Sequence, residues 1–373
     1  MDAEVIVAGL GAHGGAAAHH LASRGASVLG FDRFARGHTL GSSGGLSRII
    51  RLSYYEHPDY VPLLRRAWDL WRDLERESGE RLLTETGGLY AGDPDGELVL
   101  GALASARRHG LAHEVLDTPA LRARYPLFEW LDGWAGVFEP QAGWLAPERS
   151  IETHLRLAEG AGATLRFEEP VERWESTSAG VRVTTRSGSF EAGHLVLAVG
   201  AWLPKLAPAL AAELTVERNV LFWFEPRAER DAFARLPVYI VQETDRFFYG
   251  FPYVEGQGLK VAGLHFGDRA DPDALDRTPS SRDEERVRDW LRRRVPLAEG
   301  ERRDAKVCMY TNTNDAHFII DLLDGDSNVI VASACSGHGF KFASVIGEIL
   351  ADLALDGGTR HAIGFLSAKR LAL

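Results

Sequence analysis

The residues of this 373-residue chain best suited to chemistry lie late in the sequence, where Cys308-Met309-Tyr310-Thr311 is followed by Ser336-Gly337-His338-Gly339-Phe340-Lys341. The stretch holds both cysteines, Cys308 and Cys335, and one of only five lysines. A thiol becomes a nucleophile once it is deprotonated. By type alone a cysteine is equally a buried small hydrophobe, and Cys335 has no context beyond that. Far upstream, Arg48-Ile49-Ile50-Arg51 sets two cations among bulky apolar residues. A planar arginine fork and a lysine point charge together can clamp a carboxylate, although the ordinary fate of either residue is a solvated surface. If the segment is helical, Arg48 and Arg51 share a side.

The elements that must position these groups begin with a nucleotide-binding signature. Residues 4–8 form a short apolar run suited to a buried parallel strand. Gly9-Leu10-Gly11-Ala12-His13-Gly14 follows, then an alanine-rich helix to about Arg24 and a second strand over 28–31, ending at Asp32. In such a unit the glycines allow a tight turn and close approach of a pyrophosphate. The helix N-terminus attracts phosphate, and the acid can bind a ribose hydroxyl. A helix is predicted from Pro58 to Glu77, with Leu64, Trp68, Trp71 and Leu74 as its packed face. Strands are expected over 194–199, 220–224, 238–242, 246–251, 259–264 and 328–332, with helices over 281–293 and 344–355.

Length and composition narrow the class. The chain is long enough for two domains. Its net charge of -11 argues against a nucleic-acid partner, which needs clustered cations. No apolar run reaches the ~18–20 residues of a membrane span. The opening apolar segment is short and lacks a basic flank, so no signal peptide is expected. Two cysteines cannot build a disulfide framework, which suits a reducing compartment. A cytoplasmic enzyme follows as the expectation.

The expected fold is mixed α/β: a Rossmann-like nucleotide-binding domain from both ends of the chain, with an antiparallel-sheet substrate domain inserted. The boundaries read as 1–85, 148–215 and 308–373 for the first, and 86–147 and 216–307 for the second. A late glycine loop, Ser336–Gly339, beside a helix start favours a long dinucleotide, flavin adenine dinucleotide (FAD).

With those features in place, the chain resembles the monomeric sarcosine oxidase / N-methyltryptophan oxidase family of flavin-dependent amine oxidases. The resemblance covers nearly the whole length. Its markers are the N-terminal unit, Gly41-Ser42, Arg48-Ile49-Ile50-Arg51, Tyr54 with Glu56, and Tyr60-Val61-Pro62-Leu63. Further on come Phe138-Glu139-Pro140, Tyr249-Gly250-Phe251-Pro252, Gly258-Leu259-Lys260 and the opening stretch. The resemblance implies that Cys308 forms a thioether to the flavin 8α-carbon and that Arg51 and Lys341 bind a substrate carboxylate. It sets Arg48 against the flavin and Lys260 near flavin N5, where a cation helps oxygen accept electrons. Tyr249 and Tyr310 line the pocket, and Glu56 pairs with one of its arginines. The remaining cofactor contacts implied are Gly9, Gly11, Gly14, Asp32, Arg33, Ser42, Ser43, Val171, Gly200, Gly337, Gly339 and Lys341. Lys260, Arg48 and Tyr310 form the catalytic set. From the residues alone, Lys260 alternates with Leu259 and Val261 on a strand and so faces away from them.

Two departures stand out. Family members acting on sarcosine carry paired histidines where this chain has Ser43-Gly44. The family's pocket histidine, four residues after the strand lysine, aligns with Leu264, with His265 one place later. Either a bulge returns His265 to the cavity, or the polar group near the amine is lost. The implied activity is oxidation of secondary amino acids such as sarcosine to imines, with oxygen reduced to hydrogen peroxide, by a monomer. A dehydrogenase with another acceptor, an oxidase of bulkier N-alkyl amino acids and a non-catalytic flavin sensor are the rivals.

Overall fold

The computed structural model of the protein describes residues 1–323 and 326–371. Its first layer is an eight-stranded mixed sheet. Ala3–Ala8 lies at the centre, parallel to Gly188–Leu197 on one side and Val28–Phe31 on the other, with Val5 opposite both His194 and Val28. Val5, Ile6, Val7 and Ala8 are fully buried, as a parallel strand covered on both faces requires. Helices Ala12–Ser23, Val61–Ser78, Pro147–Gly160 and Ala343–Asp356 contribute to the core on one face. Val181, Val183, Leu203 and Leu210 help form that on the other.

The second layer is a nine-stranded sheet built from segments between Gly88 and Thr313. Its longest strands, Leu214–Phe224 and Arg302–Thr313, pair antiparallel, with Asn219 opposite Cys308 and Glu217 opposite Tyr310. Alternation sorts the side chains into two faces. Phe222, Phe224, Leu259 and Val261 pack with Trp290 and Leu291 of helix Ser281–Arg294. Leu221, Trp223, Ala262, Cys308 and Tyr310 form a separate cluster on the opposite face. Lys260, opposite Trp223 in the register, belongs to that second face, as its alternation predicts.

A three-stranded sheet, Arg48–Ile50, Gly143–Leu145 and Leu83–Glu85, carries the arginine pair. The helical option for this segment is therefore corrected: Arg48 sits on a strand, and Arg51 lies just past its end. Two β-branched isoleucines favour that outcome, because they pack well on a pleated surface.

Helices Ala12–Ser23 and Ala343–Asp356 pack backbone to backbone. A Cβ on Gly347 would stand 2.6 Å from the Ala16 carbonyl carbon, well inside contact distance. Gly347→Val is expected to cost about 1–3 kcal/mol through overpacking, measured as a lower midpoint in urea at unchanged slope.

Candidate active site

A cleft of about 500 Å³ opens at the carboxyl ends of the parallel strands, where ligands of such sheets bind. Gly9 and Gly11 line it. Gly14 lies beneath the turn, where a Cβ would come within 1.7 Å of the Gly9 carbonyl oxygen, so only glycine permits the helix to start there. Helix Ala12–Ser23 has no side-chain cap and no acid in its first turn. Its first N–H groups are left for an anion from outside. Asp32 accepts from Leu10 N at 2.8 Å and Phe34 N at 2.9 Å, which holds its carboxylate at the cleft wall. Arg33, Ser42, Ser43, Val171 and Gly200 line the same cleft.

The cleft runs into a smaller cavity of about 90 Å³, the two sharing Ser42, Cys335 and Phe340 as walls. Arg48, Arg51, Glu56, Tyr249, Cys308, Tyr310, Gly337, Gly339 and Lys341 all line this cavity. Among the described residues, buried hydroxyls on the cleft wall, Thr311 Oγ1 and Ser333 Oγ included, have no hydrogen-bond partner. Buried polar atoms are rarely left so unless a ligand or water completes them. With the uncapped helix start and the anchored acid, these residues fit a dinucleotide.

The cavity's clamp is charged and deeply buried. Arg51, 2% exposed, donates from Nη2 to both Glu56 oxygens at 2.6 and 2.7 Å. Its guanidinium lies 4.3 Å from the Tyr54 ring centroid and 4.7 Å from that of Tyr55. Burial alone would push the Glu56 carboxyl up, but Arg51, His338 and Lys341 hold it below the usual range. Among the described residues Lys341 has no paired carboxylate, and it donates to His338 O at 2.6 Å. Burial first, then repulsion from Arg51, lowers its ammonium to about 7.

Arg48 and Lys260 share the carbonyls of one loop. Arg48 donates to Ser42 O at 3.1 Å, Ser47 O at 2.9 Å and also to Gly44 O. Lys260 donates to Gly45 O at 2.7 Å and Ser47 O at 2.6 Å. Glu148 pins the loop from outside by accepting Gly45 N and Leu46 N. Lys260 lies behind the cavity wall, 4.6 Å from the ring centroid of Phe251, which forms that wall. Burial and then Arg48 lower its ammonium well below the ordinary lysine value. Burial pushes the Cys308 thiol up, while Arg48 and Lys260 oppose the rise. Tyr249 and Tyr310 meet hydroxyl to hydroxyl at 3.3 Å. Burial raises both phenols, so they stay protonated near neutrality.

Of the two options for His265, the structure takes the second. Leu264 lines the cavity, while His265 adopts a left-handed φ of 55° and its Nδ1 meets Glu217 Oε2 at 3.1 Å. Sequence reasoning left two positioning residues without roles. Glu139 accepts Leu52 N, Ser53 N and the Tyr90 hydroxyl, which fixes the turn that presents Arg51. His338 Nε2 donates to Ala316 O at 3.0 Å, so its Nδ1 accepts from the Tyr54 hydroxyl. The Phe138-Glu139-Pro140 marker and the 336–341 stretch were the available signals, but neither discloses a hydrogen-bond partner far away in sequence.

Comparison with known proteins agrees with this geometry. The profile of the family described as FAD dependent oxidoreductase matches residues 4–353. Monomeric sarcosine oxidase from Streptomyces avermitilis is 44% identical over 375 residues, covering 99% of this chain and 98% of the relative. N-methyl-L-tryptophan oxidase from Yersinia pestis is 35% identical, covering 95% of this chain and 96% of the relative. Among solved structures, that of NikD, an unusual amino acid oxidase essential for nikkomycin biosynthesis, matches with a TM-score of 0.85 at 27% identity, covering 98% of this chain and 97% of the other. With an uncapped helix start facing a dinucleotide cleft and relatives matched along its whole length, the chain belongs to the FAD-dependent oxidoreductase family, in the group that holds the monomeric sarcosine oxidases and N-methyl-L-tryptophan oxidases.

Proposed function

We propose that the protein is an FAD-dependent oxidase of secondary amino acids, taking N-methyl or cyclic amino acids to imines and oxygen to hydrogen peroxide. The observation that carries this reading is the small cavity itself, where a buried carboxylate clamp adjoins a cation-rich wall and opens into the dinucleotide cleft. FAD, when bound, supplies the two-electron acceptor for the C–N bond and the donor to oxygen.

The chain's own residues do the rest. Arg51 and Lys341 orient the carboxylate, and Glu56 holds the Arg51 guanidinium until then. Oxidation requires the neutral amine. Ile49, Phe251 and Leu264 make an apolar lining, and Glu56, the one carboxylate on the wall among the described residues, is committed to Arg51, so an ammonium finds no free carboxylate there. Tyr249 and Tyr310, protonated and paired, offer hydrogen bonds to the amine or to the nascent imine. Lys260 and Arg48, fixed by carbonyls, stabilise negative charge as it develops on oxygen.

Cys308 is the proposed tether, through a thioether to the flavin 8α-carbon. Its thiol, lining the small cavity, would hold the cofactor covalently, so that FAD would not exchange. The proposed domain division remains 1–85, 148–215 and 308–373 for FAD against 86–147 and 216–307 for substrate, supported by the two sheets' separate faces. A monomer is proposed on the printed name of the Streptomyces relative. A cytoplasmic setting suits Cys308 and Cys335, which are both free. Among the described residues no helix is long and apolar enough to cross a membrane.

Three measurements test this reading. Sarcosine, N-methylated amino acids or proline added without oxygen should bleach the yellow chromophore, and readmitted oxygen should yield peroxide; a chromophore indifferent to all of them sinks the activity. After acid precipitation, colour should stay with the pellet in the native protein and move to the supernatant in Cys308→Ser. Colour in the supernatant for both rejects the tether. Lys341 predicts the pH dependence of the clamp. Its ammonium is lowered to about 7, so it is charged below that pH and increasingly neutral above. The dissociation constant of a simple carboxylate such as propanoate should therefore be flat below about 7 and rise above it. Lys341→Met should abolish that rise.

A further inference from the structure

Residues 270–278 leave the antiparallel lobe and cross to the dinucleotide cleft. Both ends of the segment are held on their own side. Ala270 N donates to Val216 O at 2.9 Å. Arg218 donates to Asp276 O and Thr278 O, each at 2.8 Å, just before Ser280 caps helix Ser281–Arg294. The middle of the segment bonds to the other side. Asp273 Oδ1 accepts from Trp202 Nε1 at 2.7 Å and pairs with Arg33 Nη2 at 3.1 Å. Lys205 pairs with Asp271 at 2.8 Å and contacts Asp273 as well. The Arg33 guanidinium lies 4.5 Å from the Trp202 ring centroid. Asp273, Arg33, Trp202 and Lys205 all face the cleft.

Arg33 directly follows Asp32, the acid placed to bind ribose, so this group of side chains stands at the nucleoside end. Arg33 and Lys205 carry like charge there, and a long guanidinium side chain left alone would spread into solvent. Among the described residues, Asp273 is the one carboxylate paired with Arg33. It comes from the other lobe, so the wall is complete only when that lobe's segment is seated.

We infer that Asp273 is a cofactor-positioning residue: it fixes the Arg33 guanidinium against Trp202 as a wall of the nucleoside end and thereby sets how tightly FAD is retained. The inference rests on membership of the FAD-dependent family and not on the amine-oxidase reading, whose failure would appear in the bleaching assay and leave FAD affinity untouched. Arg33 and Asp273 are both partly exposed. Partly exposed pairs of this kind change an equilibrium by a modest factor, roughly two- to fivefold.

The test measures the FAD dissociation constant by flavin fluorescence in Cys308→Ser protein, where the cofactor can exchange, at low and high salt. Asp273→Asn keeps an acceptor for Trp202 Nε1 and removes the charge. It is expected to weaken FAD binding by roughly two- to fivefold at low salt, with a smaller difference at high salt. Asp273→Glu should recover part of the loss. In an Arg33→Ala background, Asp273→Asn should have no further effect. An unchanged dissociation constant in Asp273→Asn overturns the inference. So does an equal loss with and without Arg33, which would make residues 270–278 a lobe fastener only.

Discussion

Among the described residues, three cations are buried around one cavity, and only one of them has a carboxylate partner. Arg51 pairs with Glu56, whereas Lys341 is held by a backbone carbonyl oxygen and Lys260 by two carbonyl oxygens and the Ser47 hydroxyl. Burying charge without a counter-ion is costly, and it persists only where the surrounding fold over-determines it. Much of the local architecture serves that requirement. The loop 42–47 turns its carbonyls inward toward Arg48 and Lys260, and Glu148 pins that loop from behind through Gly45 N and Leu46 N. Glu139 fixes the turn after Ile50 so that Arg51 points into the cavity. The result is a site short of negative charge, which on the proposed function a substrate carboxylate would supply at one end and a reduced oxygen species at the other.

On the proposed function, the same cations would explain why the amine arrives neutral. Burial already lowers the Lys341 and Lys260 ammonium groups, helped by repulsion from Arg51 on Lys341 and from Arg48 on Lys260. A third ammonium in that space would meet the same penalty. Leu264, standing on the wall while His265 turns to Glu217, removes one more polar group and makes the cavity less tolerant of charge on the amine.

Legibility in the sequence varied with the range of the interaction. The β-turn-α-β start, the late glycine loop and the facing of Lys260 were all readable, because each depends on residues a few positions apart. The arginine pair was readable as a pair but not as a strand, since Arg48–Ile50 is extended through pairing with Gly143–Leu145, nearly a hundred residues on. The fate of His265 was undecidable from register alone, because a left-handed residue at a strand end breaks the alternation on which that reading depends. Glu139 and His338 were visible as residues and silent as to role.

The sequence by itself determined the cofactor class, the residue types of the clamp and the thiol at position 308, because these follow from local pattern and from a resemblance spread along the whole chain. Only the tertiary structure decided which cation faces which oxygen, that Lys260 stands behind the wall and not on it, and that Asp273 reaches across to Arg33. Those outcomes depend on chain segments far apart in sequence meeting within hydrogen-bond distance. No local pattern encodes the carbonyl geometry or the desolvation that makes such meetings matter.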